Sequence, residues 1–277
     1  MDARHYWTGQ MEVAHAFMQA VMRIPVVECG EPAVPLEPAM HDAGVRMDFS
    51  RSRLADRFDR IFRMREGLVP LLVHVGRAFN NRGWALRIED GFRSRAMQQA
   101  LSMRSAVFET IIRKVLWETD GHWPDDAFVF RRMSVLVATA PKIGTHMSAS
   151  AVDVSVVRLD DGGEVDRGGP YLEISERTPM ASPFVTETAQ ANRKAITALF
   201  HEHGFVEYPY EFWHYNAGDA YEMLIRKTGH PARYGAVDLD PATGRVTPIE
   251  DPTRPLNDPA ALREALETVR KQVVRHE

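Results

Sequence analysis

A single cysteine, Cys29, stands among 277 residues. It excludes an internal disulfide and a thiolate metal cluster, so any bound metal must be held by histidine and carboxylate. Long apolar runs are also missing. The longest apolar patch, residues 68–75, is broken by Pro70 and His74, far short of the roughly 18–20 residues that cross a bilayer. Nor is positive charge in excess: the net charge is −4 and the isoelectric point near 6.3. Nothing there favours nucleic acid or a membrane surface. The start, Met1-Asp2-Ala3-Arg4-His5-Tyr6-Trp7, lacks the basic-then-apolar pattern of a secretory leader, which makes a cytoplasmic location the default expectation. No phosphate-binding glycine loop, internal repeat or low-complexity segment is present.

What is there is an ordinary globular composition, 44% hydrophobic and 26% charged. Apolar periodicity predicts helices over residues 13–22, 68–80, 96–117, 186–203 and 259–276. Residues 52–64 place Leu54, Phe58, Ile61 and Phe62 at helical spacing, with the interleaved arginines on a solvated face. Alternating or β-branched runs predict strands over 84–90 and 151–159, with short ones over 205–208 and 211–215. Residues 26–49 carry Pro32, Pro35 and Pro38 and read as an irregular wrapping arm. The expected organisation is an N-terminal helix and arm, residues 1–50, packed on a domain of residues 51–277. Strands and helices mix without regular βαβ alternation, so the fold class is α+β.

Two short stretches carry the chemistry. The first runs from Gly144-Thr145-His146 to Val152-Asp153, and the second is Glu211-Phe212-Trp213-His214. Together they offer two imidazoles and a carboxylate to one divalent ion, with a second carboxylate close by. A hydrolytic zinc site needs three protein ligands, an open position and a base. Taken alone, each residue has a duller reading. His146 is then a cap and Asp153 a surface acid, although a carboxylate between Val152 and Val154 needs a partner. On a regular strand Glu211 and His214 would face opposite ways, so both serve one ion only if the chain twists at Phe212-Trp213. Arg93 follows a strand in a turn, where a guanidinium could stabilise an oxyanion; a helix-start arginine paired with a surface acid is the plainer reading. His74, His122, His201 and His203 lack ligand spacing.

In combination these residues resemble the D-alanyl-D-alanine dipeptidase family of zinc peptidases, relatives of the D,D-carboxypeptidases and of the hedgehog signalling domain. The pattern is a His, six residues and an Asp, then Glu-x-x-His with an aromatic before the His. Asp90-Gly91-Phe92-Arg93 is similar to the family's Gly-aromatic-Arg turn, and the likeness spans residues 66–240. It implies a small antiparallel sheet carrying the metal site between helices. It further implies one zinc ion on His146, Asp153 and His214, Glu211 as general base and Arg93 as transition-state stabiliser. Glu173, Tyr171, Thr145 and Trp213 become the candidate substrate-binding residues, and a small D-Ala-D-Ala-type peptide the expected substrate.

The sequence departs from the family pattern at Ser94, Ala149 and Leu172. Leu172 stands where the dipeptidases place an Asp for the substrate's ammonium. Either Glu173 takes that role in a shifted register, or the enzyme does not select a free D-alanyl amino terminus. A carboxypeptidase of the same fold is a rival reading, disfavoured by the missing leader. A silent zinc-stabilised binding module is another, disfavoured because a structural site has no use for Glu211 and Arg93.

Overall fold

A computed structural model describes residues 2–273 of the chain. Its first helix, α1 (Ala3–Arg23), is longer than the periodicity suggests because Asp2 caps it, accepting from the His5 N–H at 3.0 Å. The arm expected to be irregular holds regular pieces: β1 (Ala33–Pro35), α2 (Leu36–Asp42) and β2 (Met47–Phe49). Leu36 and Met40, one helical turn apart, are buried and fix α2.

The helix expected over residues 52–64 is absent. Ala55 and Asp56 have positive φ and reverse the chain, bridging Leu54 to Phe58. Ile61 then bridges Phe92, and β3 (Arg63–Arg65) pairs antiparallel with β1. The helical spacing was coincidental, since Phe62 packs on Phe49 at 5.1 Å while Ile61 joins Phe92 in a different cluster. Arg65 is fully buried rather than solvated, donating to Ser148 O at 2.7 Å, Glu31 O at 2.7 Å and both Glu28 carboxylate oxygens.

The remaining elements are α3 (Val69–Asn81), β4 (Trp84–Asp90), α4 (Arg95–Ser102), α5 (Ser105–Glu118), α6 (Asp126–Leu136), β5 (Ala151–Arg158), α7 (Glu187–Glu202), β6 (Val206–Glu207), β7 (His214–Asn216), α8 (Ala220–Ile225), β8 (Val237–Leu239), β9 (Val246–Pro248) and α9 (Pro259–Val273). The long helix expected over 96–117 is two, parted at Met103-Arg104, where Arg104 is extended. The last residues of the expected terminal helix, 274–276, lie outside the described residues.

The central sheet has the order β2-β4-β5-β7-β6. It is antiparallel except at β2, which runs parallel to β4 because α3 supplies the crossover between them. Alternation along β5 decides what each face does. Val152, Val154 and Val156 point into a core with Leu72, Val75 and Phe79 of α3 and Ile196 and Phe200 of α7. Phe200 stacks on Tyr215 at 3.8 Å; cutting it to alanine should cost about 3–5 kcal/mol. Asp153 and Ser155 take the other face. Over that side α1 packs with Tyr208, Tyr210 and Tyr221, while α5, α6 and α9 form a further cluster. The fold is α+β. No described helix is long and apolar enough to cross a membrane.

Candidate metal centre

Asp153 and His214 are direct cross-strand partners on β5 and β7, so their side chains meet without any special turn. His146 arrives from a short 3-10 turn, Thr145–Ser148, which ends at Ala149 with φ 55°. That left-handed residue folds the chain back between His146 and Asp153. His146 Nε2 lies 3.2 Å and His214 Nδ1 2.9 Å from the same oxygen, Asp153 Oδ1. The three ligand atoms fall within 4.8 Å of one another, and all three residues are buried.

Each imidazole is held from behind. His146 Nδ1 is 2.6 Å from Gly91 O, and His214 Nε2 is 2.8 Å from Thr145 Oγ1. A neutral imidazole has one N–H, yet both nitrogens of His146 face acceptors. A cation between Nε2 and Asp153 removes that conflict, so this donor set fits a divalent ion with N and O ligands. Gly91 is required for the approach: a Cβ there would stand 2.8 Å from Ile61 O. Burial opposes the charge of Asp153, but His146 and His214 outweigh it and hold the carboxyl well below its usual range. Burial also lowers His214, favouring the neutral ring a metal needs.

Arg93 reaches the site from the turn after β4. A bulge between Ile88 and Asp90 re-aims Asp90, whose Oδ2 accepts from Arg93 Nε at 2.7 Å and lies 3.0 Å from Arg60 Nη1. Arg93 Nη2 is 3.4 Å from Asp153 Oδ2. Burial works against the guanidinium's charge, but Asp90 and Asp153 more than offset it, so Arg93 stays charged.

Glu211 is not on a strand; it sits in the turn Tyr208–His214, where Glu211 N donates to Tyr208 O and His214 N to Glu211 O. The turn brings Glu211 to the same cavity as His214. Burial first, and then the charge of Asp153, push its carboxyl up to about 8.

The cavity measures about 80 Å³. On its ligand wall are Arg93, Thr145, His146, Asp153, Glu211, Trp213 and His214. The apolar and aromatic part of the lining includes Met18 of α1, Val135 and Leu136 of α6, Val137, Ala138, Ile143, Leu172, Tyr208 and Tyr221. The candidate substrate residues divide. Trp213 and Thr145 line the cavity, Thr145 with its hydroxyl on His214. Tyr171 donates to Asp153 Oδ2 at 2.9 Å and packs edge-on against Trp213. Glu173 is not among the lining residues; its Oε1 accepts from Arg177 at 2.5 Å and from Ser175 Oγ at 2.6 Å. Leu172, at φ 66° and 57% exposed, takes the cavity edge instead.

Sequence reasoning missed Arg60, Asp90 and Arg65 as supports of the site, and Gln98, which accepts from Arg93 Nη1 and donates to Val137 O. A charged residue closing the expected strand was the only signal for Asp90. Nothing in the spacing pointed to Arg60 or Arg65.

Comparison with known proteins points the same way. The profile of a peptidase family described as D-ala-D-ala dipeptidase matches residues 74–231, more than half of the chain. The chain is similar to the D-alanyl-D-alanine dipeptidase of Enterococcus faecium, 24% identical over 48% of this chain and 62% of that one. It is also similar to the D-alanyl-D-alanine dipeptidase of Synechocystis sp., 24% identical over 80% of this chain and 98% of that one. The chain thus spans about three fifths of the first relative and nearly all of the second. A crystal structure of a mutant vancomycin-resistance D,D-pentapeptidase, VanY, in complex with Zn(II) aligns over 74% of this chain and 92% of that one, at 16% identity and a TM-score of 0.36.

Proposed function

Because the chain belongs to the D-ala-D-ala dipeptidase family of peptidases, we propose that it hydrolyses the amide bond of a small D-alanine-containing peptide. The observation that carries this reading is the shared oxygen of Asp153 between His146 Nε2 and His214 Nδ1, with Glu211 on the same cavity. His146, Asp153 and His214 would hold one zinc ion per chain. Bound there, zinc supplies Lewis-acid polarisation and acidifies water.

The protein's own groups do the rest. Glu211 takes a proton from the attacking water and delivers it to the amine nitrogen as the C–N bond breaks. A carboxyl whose surroundings push it up to about 8 suits both halves of that transfer near neutral pH, and a cation beside it pulls the value back down. Arg93, charged and fixed by Asp90, stabilises negative charge developing on the carbonyl oxygen. The apolar wall excludes bulk water from the reacting bond.

One observation favours a substrate without a free amino terminus. Besides Asp153 and Glu211, no carboxylate lines the cavity among the described residues, and Glu173 is engaged by Arg177 and Ser175. The test is amine release by zinc-loaded protein from D-Ala-D-Ala, L-Ala-L-Ala and N-acetyl-D-Ala-D-Ala. Turnover of the D,D compounds, with the acetylated one preferred, is the expected result. Inertness toward all three sinks the reading.

A further inference from the structure

The proposed zinc site rests on Asp153 offering its oxygens unequally, and the loop of residues 168–173 shows what enforces that. Asp153 Oδ1 faces both imidazoles, whereas Oδ2 accepts from Tyr171 Oη at 2.9 Å and lies 3.4 Å from Arg93 Nη2. Of the two contacts on Oδ2, only the tyrosine one has the length of a strong hydrogen bond. A phenol has a single O–H to give, and Tyr171 spends it on this carboxylate. The ring cannot swing away easily, because it packs edge-on against Trp213 at 5.7 Å, beside His214. The loop is anchored in turn by Glu173, whose N–H closes a turn on Pro170 O and whose carboxylate holds Arg177.

From this geometry we infer that Tyr171 is a positioning residue for the metal rather than a substrate contact: its hydroxyl occupies Asp153 Oδ2, so the carboxylate presents Oδ1 alone to a cation. A carboxylate left free to turn would offer both oxygens and compete for the position the reaction needs open. The same tyrosine ties the loop that carries Leu172, at the cavity edge, to a metal ligand. The inference rests on the proposed metallopeptidase reading.

The test is Tyr171→Phe, which keeps the ring and removes only the hydroxyl. Zinc affinity, measured against a chromophoric chelator, should weaken about tenfold. In the cobalt-loaded protein the visible d–d bands should lose intensity, as they do when coordination number rises. The melting temperature of chelated protein should stay close to that of the unaltered chain. Leu172→Ala, which disturbs the same loop but keeps the hydroxyl, should leave zinc affinity unchanged. Affinity within twofold of the unaltered protein together with superimposable cobalt spectra overturns the inference. So does Leu172→Ala weakening zinc as much as Tyr171→Phe, because the effect then belongs to the loop. Unaltered protein that binds no zinc at all overturns the peptidase reading, and this assignment falls with it.

Discussion

The two walls of the cavity differ in how completely their polar groups are answered. On the ligand wall the charges are answered in a chain, Glu211 excepted: Asp153 has two imidazoles and Arg93, and Arg93 has Asp90, which has Arg60. The apolar wall is built from Met18, Val135, Leu136, Val137 and Ile143, and the Tyr208 hydroxyl beside it has no hydrogen-bond partner among the described residues. The family match at residues 74–231 takes in all of the ligand wall but stops short of Met18. A preorganised charged wall suits chemistry, where donors and acceptors must be in place before the reaction. An apolar wall suits selection by size and by charge. The contrast teaches that reaction and specificity can be tested separately here.

The severest break falls on the ligand wall. Asp153→Asn keeps the shape but removes the charge facing both histidines. Zinc content after dialysis should fall from one per chain to near none, and peptide hydrolysis should fall to background. Arg93 keeps Asp90, so the variant should still fold, which circular dichroism would check. Full zinc retention by Asp153→Asn would remove that residue from the ligand set.

Next comes Glu211→Gln, which should retain zinc while kcat drops by about 10²–10⁴. It also has a stability signature of opposite sign. Glu211 goes from 4.5 when unfolded to about 8 when folded, because burial and Asp153 favour the protonated form. Its contribution is therefore intact below pH 4.5 and is lost as pH rises through 8. Chelated Glu211→Gln should melt with the unaltered protein near pH 4.5 and several degrees above it at pH 9. Equal melting at both values would mean that Glu211 is better solvated than its surroundings suggest.

How much of this was legible beforehand follows the same divide. Asp153 could be read because a lone carboxylate inside a valine strand demands a partner, and the cross-strand register with His214 supplies one. The strand over residues 84–90 was legible from alternation alone. The support beneath the ligand wall was not. Arg60 and Arg65 look like surface residues because charge spacing carries no information about which carbonyls and carboxylates lie nearby. Arg65 is buried only because Ser148, Glu31 and Glu28 converge on it from distant parts of the chain. Helical spacing in residues 52–64 likewise failed where two positive-φ residues turned the chain. Left-handed backbone at non-glycine residues has no sequence signature, and Ala149 and Leu172 are both of that kind.

Leu172 gives the smallest and most discriminating effect. A leucine at φ 66° and 57% exposed carries backbone strain of about 1–2 kcal/mol with little burial to compensate it. Aspartate tolerates that backbone better, so Leu172→Asp should melt at the same temperature as the unaltered protein or slightly above it. The new carboxylate would stand at the cavity edge, where the apolar wall now offers nothing to an ammonium group. The ratio of kcat/KM for D-Ala-D-Ala over N-acetyl-D-Ala-D-Ala should then rise severalfold, mostly through KM, because an exposed ion pair is worth only about 1 kcal/mol. Zinc affinity should not move, since Tyr171 still holds Asp153. A ratio that stays put while the protein remains folded would mean that the substrate's amino end lies elsewhere than at residue 172, and the apolar wall would lose its role in selection.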